Sequence, residues 1–197
     1  MIIKGLICLA LGYLTGCFSI SYFISKAKGF DIRDKGSHNA GASNMALILG
    51  MKYGVITALV DILKAFLIYY LCLYLFKDVR LAKLAGAAAV IGHMFPFYMG
   101  FRGGKGFACF IGLIYAVSFK LGLFETLIIA IMVLSTKYMV AGTFSMTTTS
   151  CLYFFIVKDF YFAFILLILV IIIFYKHKQN IINLKNGDEP KITDAKK

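Results

Sequence analysis

The fold class is decided by the first apolar stretch, Ile2–Ile24, which reads IIKGLICLALGYLTGCFSISYFI and whose single charge is Lys4 at its start. A helix needs about 20 apolar residues to cross the hydrocarbon core of a bilayer. The run is longer than the apolar core of a cleaved signal peptide, and no small-x-small cleavage site followed by a soluble domain comes after it. We therefore predict a retained transmembrane helix.

Apolar segments continue along the rest of the chain. Hydrophobic residues make up 61% of the 197 residues, and the mean hydropathy is +0.86, more than a soluble core of this size could hide from water. Six further segments are predicted to span the membrane: 54–76, 84–101, 107–119, 121–135, 140–157 and 160–175. The segments 107–119 and 121–135 are short and could form one re-entrant unit, which would leave six spans. The sequence thus predicts an all-α, polytopic membrane protein with about seven transmembrane helices, short polar cytoplasmic loops and a single domain over residues 1–197. A cytoplasmic tail is expected from about residue 176.

The basic residues predict the orientation of these spans. With seven spans, one side of the membrane holds 14 of the 21 Lys and Arg residues: 26, 28, 33, 35, 52, 102, 105, 137, 176, 178, 185, 191, 196 and 197. The other side holds six, at 4, 77, 80, 83, 120 and 158, and Lys64 lies within a span. The richer side is expected to be cytoplasmic, so the N-terminus is outside and the C-terminus inside. The net charge of +12 is explained by this topology and by the attraction of basic residues to anionic lipid headgroups. No nucleic-acid partner is expected, because the basic residues are spread over short loops.

The five cysteines do not indicate a zinc site. They lie in or beside apolar stretches, and no CxxC pair with a partner pair occurs among them. We expect them to be small buried hydrophobic residues.

The first interruption of the apolar pattern is Lys35–Asn44, KGSHNAGASN. Its glycines allow a turn in which several backbone N–H groups point inward and form an anion-binding nest. Its hydroxyl and amide side chains add hydrogen-bond donors. The same composition is also typical of an ordinary polar turn.

The second interruption is Gly100–Gly106, GFRGGKG, which follows the segment GHMFP at 92–96. A glycine-rich backbone with Lys105, leading into a helix that starts at Phe107, has the composition of a phosphate site. The spacing differs from that of a Walker A motif. A tight basic loop obeying the positive-inside rule is the alternative, and His93 could be a satisfied loop histidine.

The third polar segment, His177–Glu189, reads HKQNIINLKNGDE. His177 and Asn180 would face the same way if the last helix continued through them. A solvated basic tail is the alternative. All three segments are expected on the cytoplasmic face, which would bring two phosphate-like loops close to a His/Asn pair.

Charged residues also occur within the predicted spans. Asp61 and Lys64 have i,i+3 spacing, and a local ion pair is preferred over a substrate contact because isolated charges are costly in a bilayer. Glu125 lacks a partner at helical spacing, and we expect it to face the interior of the bundle.

These segments together resemble the bacterial acyl-phosphate:glycerol-3-phosphate acyltransferase (PlsY) family over essentially the whole chain. The family pattern GSGNxGxTN resembles residues 36–44, and its D-x-x-K resembles Asp61 and Lys64. Its GHxFP segment, followed by F-K/R-GGKG, resembles residues 92–106, and its H-x-x-N segment with a later G-x-E resembles residues 177–189. The resemblance implies seven spans with the N-terminus outside.

The resemblance also implies the reaction. A fatty acyl phosphate would give its acyl group to the 1-hydroxyl of sn-glycerol 3-phosphate, forming lysophosphatidic acid and phosphate as the first acylation of phospholipid synthesis. The family uses neither acyl-CoA nor an HxxxxD motif. No cofactor and no metal are implied. An enzyme that makes acyl phosphate is an implied partner, alongside membrane lipid.

The implied roles fall into three groups. Catalytic residues would be Ser37, His177 and Asn180, with His177 acting either as a general base or only to orient Ser37 and the acceptor; a Ser37 acyl-enzyme is less favoured. Residues expected to bind substrate or phosphate are Asn39, Gly41, Asn44, Arg102, Gly103, Gly104, Lys105 and Gly106. Supporting residues would be His93, Asp61, Lys64 and Glu189.

Several residues depart from the family pattern. Leu47 stands where the family carries an arginine, and His38 stands where it carries a glycine. Lys137 and Asn183 replace arginines, and Val140 and Thr143 replace serines. Three alternatives follow: a transferase that acylates another hydroxyl from acyl phosphate, a non-catalytic transporter, or a lipid-binding relative.

Overall fold

The structure, a computed structural model, describes residues 1–193 as an all-helical chain, which confirms the predicted fold class. Lys196 and Lys197, counted above for the orientation, lie outside the described residues. Ten α-helices occur within 1–193: α1 (Ile2–Cys17), α2 (Ile20–Ala27), α3 (Ala42–Leu49), α4 (Met51–Phe76), α5 (Val79–Met94), α6 (Phe107–Val117), α7 (Phe119–Thr136), α8 (Met139–Ile156), α9 (Phe160–Lys176) and α10 (Lys178–Asn186). Two short 3-10 turns lie at Ile32–Asp34 and Phe97–Met99.

Each predicted apolar segment overlaps at least one helix, with the first covering α1 and part of α2, but not every helix has the length of a span. Within 1–193, five helical stretches are long and apolar enough to cross a membrane: Ile2–Ala27, Met51–Phe76, Val79–Met99, Phe119–Thr136 and Met139–Ile156. A sixth is obtained if α9 and α10, whose axes bend by 54°, count as one span. Helix α6 has 11 residues, or about 16 Å at 1.5 Å per residue. The count of seven therefore applies to apolar helical segments, and five or six of them have the length of a span.

The chain divides into two compact units, Met1–Val117 and Ser118–Lys197. The first unit contains both glycine-containing loops, and the second contains the His177–Glu189 segment. That residues 1–197 form one domain remains a prediction.

Close packing of α1 against α5 rests on small residues. A Cβ built on Gly12 or Gly16 would overlap the backbone of Ala85 or Ala89, respectively. A Cβ on Gly92 would likewise meet the backbone of Tyr13. Small residues allow two membrane helices to approach at backbone distance, where van der Waals contacts hold them together.

The first long stretch is broken at Phe18 and Ser19, between α1 and α2. A break frees backbone carbonyls that lipid cannot hydrogen-bond, so side chains must satisfy them. The Tyr98 hydroxyl donates to the Cys17 carbonyl over 2.8 Å, and the Lys64 ammonium donates to the Phe18 carbonyl over 2.8 Å. The break is thereby tied to α4 and to the turn that follows α5.

In the second unit, Glu125 of α7 is 1% exposed and receives two hydrogen bonds from α8. The Thr149 hydroxyl donates over 2.7 Å and the Ser150 hydroxyl over 3.1 Å. Glu125 therefore faces a neighbouring helix as expected, and its polar atoms are satisfied within the protein.

Candidate active site

The first polar loop is built around the side chain of Asn44, which is 1% exposed. Its Oδ1 accepts from the Ser37 amide over 2.9 Å. Its Nδ2 lies within hydrogen-bond distance of the carbonyls of Ile32 (2.9 Å), Lys35 (3.0 Å) and Asn39 (3.0 Å). The Asn44 amide thus holds the loop closed on itself.

These bonds change the role expected for Asn44. A contact to a substrate phosphate would require one of its bonds to the loop to break, so we assign Asn44 to shaping the loop. Gly36 is needed beside it, since its φ is +59° and a Cβ there would overlap Asn44 Oδ1. Ser37 remains exposed and Asn39 half-buried, and a Cβ on Gly41 would lie 2.7 Å from Asn39 Nδ2.

The structural role of Asn44 predicts that Asn44→Asp destabilises the protein. The substitution keeps the shape but places a carboxylate oxygen opposite three carbonyls, so buried acceptors lose their donor. We expect the free energy of unfolding to fall by about 2 kcal/mol, seen as a lower midpoint of thermal unfolding in detergent. Asn186→Asp, at the exposed end of α10, is the matched control and should leave the midpoint unchanged. A stable Asn44→Asp protein that loses only substrate affinity would contradict this role.

Arg33 connects the first loop to the second. Its Nη1 donates to the Met99 carbonyl over 2.5 Å and lies 3.4 Å from the Arg102 carbonyl. Its Nε and Nη2 bind the two oxygens of Asp31 over 2.9 and 2.8 Å. Arg33 is therefore committed to holding the two loops together, and it does not supply the guanidinium that Leu47 lacks.

The same ion pair sets the titration of Asp31. Hydrogen bonds from Arg33 hold the pKa of the Asp31 carboxyl well below its usual value, and the bond from Lys26 acts in the same direction. A lowered folded-state pKa stabilises the fold above the ordinary Asp pKa of about 3.9. This contribution is lost as the pH falls toward the lowered value, so the link between the loops is intact at neutral pH.

The second loop is paired with the end of α5. The Gly103 amide donates to the Met94 carbonyl over 3.2 Å, and the Gly104 amide donates to the His93 carbonyl over 3.1 Å. Two of the glycine amides expected to bind phosphate are thus used to build the loop. Gly106, with φ of +92°, turns the chain into α6.

Lys105 and the start of α6 are the parts of the second loop best suited to an anion. The first amides of a helix have no carbonyl partner within that helix and lie at the positive end of its dipole. The Gly106 carbonyl accepts from the Phe110 amide over 2.9 Å, which places Gly106 at the helix start. Half-buried Lys105 directly precedes it, and Arg102 is exposed nearby in sequence.

Beneath the second loop lies a buried network of Asp61, Lys64 and His93. Lys64 Nζ is 2.7 Å from Asp61 Oδ1, the ion pair predicted from the i,i+3 spacing, and 2.9 Å from His93 Nδ1. Asp61, His93 and Cys109 also come close enough together to hold a metal ion. Lys64 already places a positive charge against two of these ligands, so the group functions as an ion-pair network with its own cation.

In the second unit, the chain bends at His177, whereas the alignment of His177 with Asn180 had assumed that the last helix continues through them. Helix α9 ends at Lys176 and α10 begins at Lys178. At this bend the His177 imidazole, 6% exposed, places Nδ1 2.8 Å from the Ile173 carbonyl. The Asn180 amide donates to Glu189 Oε1 over 2.7 Å. That these residues share one membrane face with the two loops remains a prediction.

Comparison with known proteins agrees with the all-helical fold and the loop composition. Residues 6–187 match the family described as Glycerol-3-phosphate acyltransferase. A glycerol-3-phosphate acyltransferase of Aquifex aeolicus is 34% identical over 188 residues, covering 94% of this chain and 98% of that protein. Glycerol-3-phosphate acyltransferase 2 of Thermotoga maritima is 36% identical over 183 residues, covering 92% and 93% of the two chains. This chain belongs to the glycerol-3-phosphate acyltransferase family.

Solved structures within this acyltransferase family share the fold. A crystal structure of PlsY (YgiH), an integral membrane glycerol 3-phosphate acyltransferase in its glycerol 3-phosphate form, has a TM-score of 0.89 and 33% identity, with 95% of each chain covered. Its lysophosphatidic acid form has a TM-score of 0.85, with 95% of this chain and 94% of that chain covered. The chain is therefore a multi-pass membrane enzyme of the acyltransferase class.

Two residues that depart from the family pattern, Leu47 and His38, lie at the first loop of this acyltransferase. Leu47 is 65% exposed on α3, and its Cδ2 would lie 3.1 Å from a Cβ on Gly36, so it borders the first loop. His38 adopts a φ of +54°, a left-handed conformation that glycine adopts without strain. Its Nδ1 lies 3.1 Å from the Arg33 carbonyl. The glycine in the family pattern is thus explained by backbone conformation.

Sequence reasoning missed the residues that connect the loops. Arg33 was assigned no role in joining the loops, and neither Asp31 nor Tyr98 was singled out. The alternation of Asp31 with Arg33 was a usable signal, because a carboxylate at a helix start often caps it and here accepts from the Arg33 amide over 3.0 Å. Tyr98 carried no such signal, since its carbonyl partner at Cys17 is 81 residues away.

Proposed function

We propose that this protein transfers a fatty acyl group from acyl phosphate to the 1-hydroxyl of sn-glycerol 3-phosphate, producing lysophosphatidic acid and phosphate. The likeness to an enzyme solved in glycerol 3-phosphate and lysophosphatidic acid forms is the observation that carries this proposal. Those two molecules are the acceptor and the product of such a reaction. The proposed setting is phospholipid synthesis.

The donor phosphate is assigned to Lys105 and the amides at the start of α6, with Arg102 as a further cation. Supporting this, Lys105 precedes the helix that Gly106 begins, where an anion is favoured by both charge and backbone dipoles. Gly103 and Gly104 hold the loop in place through the carbonyls of Met94 and His93. The acyl chain of the donor would enter from the surrounding lipid.

The chemical step needs a proton acceptor more than a covalent nucleophile, because acyl phosphate is already activated. In the proposed step, the glycerol O1 forms a bond to the acyl carbon and the bond from that carbon to the phosphate oxygen breaks. His177 is assigned as the general base. Its Nδ1 faces the Ile173 carbonyl, so Nδ1 carries the proton and Nε2 is left as the basic atom.

The remaining site residues are assigned supporting tasks. Asn180 is oriented by Glu189 Oε1, which directs its amide, and Ser37 offers an exposed hydroxyl at the first loop. Asn39 and Gly41 of that loop are assigned to binding the acceptor substrate, glycerol 3-phosphate. The reaction as written requires no cofactor and no metal.

The proposed setting is the bacterial plasma membrane, with the N-terminus outside and both loops and the C-terminus in the cytoplasm. The excess of Lys and Arg on one side of the predicted spans supports this orientation. Acyl phosphate hydrolyses readily, so an enzyme that produces it is the expected partner.

The direct test is formation of lysophosphatidic acid by the purified protein, given palmitoyl phosphate and glycerol 3-phosphate in lipid. Product that requires both substrates would support the proposal. Phosphate release only with another alcohol would favour a relative with a different acceptor, as exposed Leu47 suggests. Saturable binding of lipid without any release would favour the non-catalytic transporter or lipid-binding alternatives.

The position of Leu47 predicts that Leu47→Arg improves use of the acceptor. The new guanidinium would stand beside Gly36 at the first loop, where charge-assisted bonds to a phosphate are possible. We expect the KM for glycerol 3-phosphate to fall by about tenfold, while the KM for acyl phosphate stays the same. Leu47→Gln, which introduces a polar side chain without a charge, is the control. Equal effects of both substitutions would show that charge at position 47 does not matter.

A further inference from the structure

The Asp61–Lys64–His93 network is a buried polar cluster of the first unit that the proposed chemistry does not use. All three side chains are buried, with exposures of 2%, 6% and 5%. A buried ion pair inside a membrane span is costly, and such groups usually mark a functional feature. The ion pair between Asp61 and Lys64 within α4 does not by itself require His93, which reaches the pair from α5.

The hydrogen bonds of Lys64 determine the protonation of His93. An ammonium group has three protons and no acceptor. Among the described residues, Lys64 Nζ lies within 2.9 Å of three oxygen or nitrogen acceptors, Asp61 Oδ1 (2.7 Å), the Phe18 carbonyl (2.8 Å) and His93 Nδ1 (2.9 Å), with the Cys109 thiol also beside it. A proton on His93 Nδ1 would face the ammonium at that distance. Although Nδ1 is also 3.3 Å from Asp61 Oδ1, the closer ammonium requires Nδ1 to accept, which places the ring proton on Nε2.

The other edge of His93 faces the glycine loop. A Cβ built on Gly104 would overlap the imidazole and would meet Nε2 before Cε1 or Cδ2. The His93 carbonyl also accepts from the Gly104 amide over 3.1 Å. His93 therefore contacts Gly104 through both its backbone and its ring, directly beside Lys105.

We propose that His93 is a positioning residue, held by Lys64 as the Nε2–H tautomer so that this N–H edge supports the Gly103–Gly106 loop against the phosphate of the donor. A hydrogen-bond donor at this edge of the ring is compatible with an anion bound above the loop, whereas the negative end of a nitrogen lone pair would repel that anion. The kinetic part of the proposal rests on the proposed function, since it concerns the donor of that reaction. His177, with Nδ1 at the Ile173 carbonyl, should show the opposite tautomer.

The tautomer can be measured directly because the chain has only three histidines. Protein labelled with 15N in the histidine rings and reconstituted in lipid bilayers gives Nδ1 and Nε2 signals by solid-state NMR, with His93→Phe assigning the His93 pair. We expect His93 to be protonated at Nε2 and unprotonated at Nδ1. The double variant Asp61→Leu with Lys64→Met removes the ammonium without leaving a lone buried charge, and it should yield a mixture of tautomers. A proton on Nδ1 in the unsubstituted protein, or an unchanged tautomer in the double variant, would overturn the proposal.

Kinetics test the positioning role independently. His93→Phe keeps a ring but loses both nitrogens, and we expect the KM for acyl phosphate to rise by about tenfold, comparable to the loss of one hydrogen bond, because the loop loses its support. The KM for glycerol 3-phosphate should stay the same, and His93→Gln, whose amide reaches a similar position, should recover most of the loss. Thr57→Val, which changes a buried residue of α4 whose hydroxyl donates to the Tyr53 carbonyl of the same helix, is the control.

Two results would separate the possible failures. If both His93 variants lowered thermal stability and both KM values moved together, His93 would be structural and the positioning role would be wrong. If the unsubstituted protein transferred no acyl group, the proposed function would fail, while the NMR result would still decide whether Lys64 fixes the tautomer.

Discussion

Replacing Lys105 with alanine should reduce acyl transfer by about 100- to 1000-fold, the usual effect of removing one preorganised stabilising donor from an active site. Lys105 is the second-loop lysine that directly precedes Gly106 and α6, where the donor phosphate is proposed to bind. The loss should appear as a large rise in the KM for acyl phosphate together with a lower kcat, because negative charge grows on the leaving phosphate. The measurement is steady-state formation of lysophosphatidic acid with each substrate varied in turn.

The matched control for Lys105→Ala is Lys120→Ala. Lys120 is an exposed lysine at the start of α7 and has no role in the proposed chemistry. Its variant should retain full activity, and both variants should unfold at the same temperature as the unsubstituted protein. Unchanged kinetics in a stable Lys105→Ala protein would remove Lys105 from the site.

Replacing His177 with alanine should lower kcat by about 10²- to 10⁴-fold, the range for loss of a general base. Since the Ile173 carbonyl faces Nδ1 over 2.8 Å, Nδ1 carries the ring proton, and Nε2 is the atom proposed to accept the proton of the glycerol hydroxyl. Both KM values should change little, since the imidazole is assigned to the chemical step and the phosphates are assigned elsewhere.

Gln179→Ala serves as the control for His177→Ala, because Gln179 is exposed on α10 and bonds Asn183 of the same helix. It should leave kcat unchanged. A His177→Ala protein with normal kcat but a raised KM for glycerol 3-phosphate would show that His177 orients the acceptor without acting as the base. That result would agree with the second role that the sequence left open.

The fold was predictable from sequence because apolar length is a local property. Ile2–Ile24 carries one charge, and a stretch of that composition has few stable states outside a bilayer. What length could not show was the break at Phe18 and Ser19. That break depends on Tyr98 and Lys64, which satisfy the freed carbonyls from distant parts of the chain.

The candidate residues were selected from the sequence by residue type, and their contacts became visible only in the structure. Glycine-rich loops with Lys105 and the pair His177 and Asn180 are readable as chemistry because residue type limits what each side chain can do. Their tasks were not readable in the same way. Asn44 looked like a ligand residue, and the structure makes it the centre of its own loop through four contacts to the backbone.

The sequence by itself thus determined the membrane class, the helical fold, the family and the set of polar residues available for phosphate chemistry. Each of these follows from composition, apolar length or an ordered motif within a short segment. Only the tertiary structure decided that Arg33 joins the two loops, that Gly103 and Gly104 give their amides to α5, and that Lys64 Nζ lies 2.9 Å from His93 Nδ1. These features depend on atoms from distant segments meeting within about 3 Å, and the local pattern of residues does not encode which segments meet.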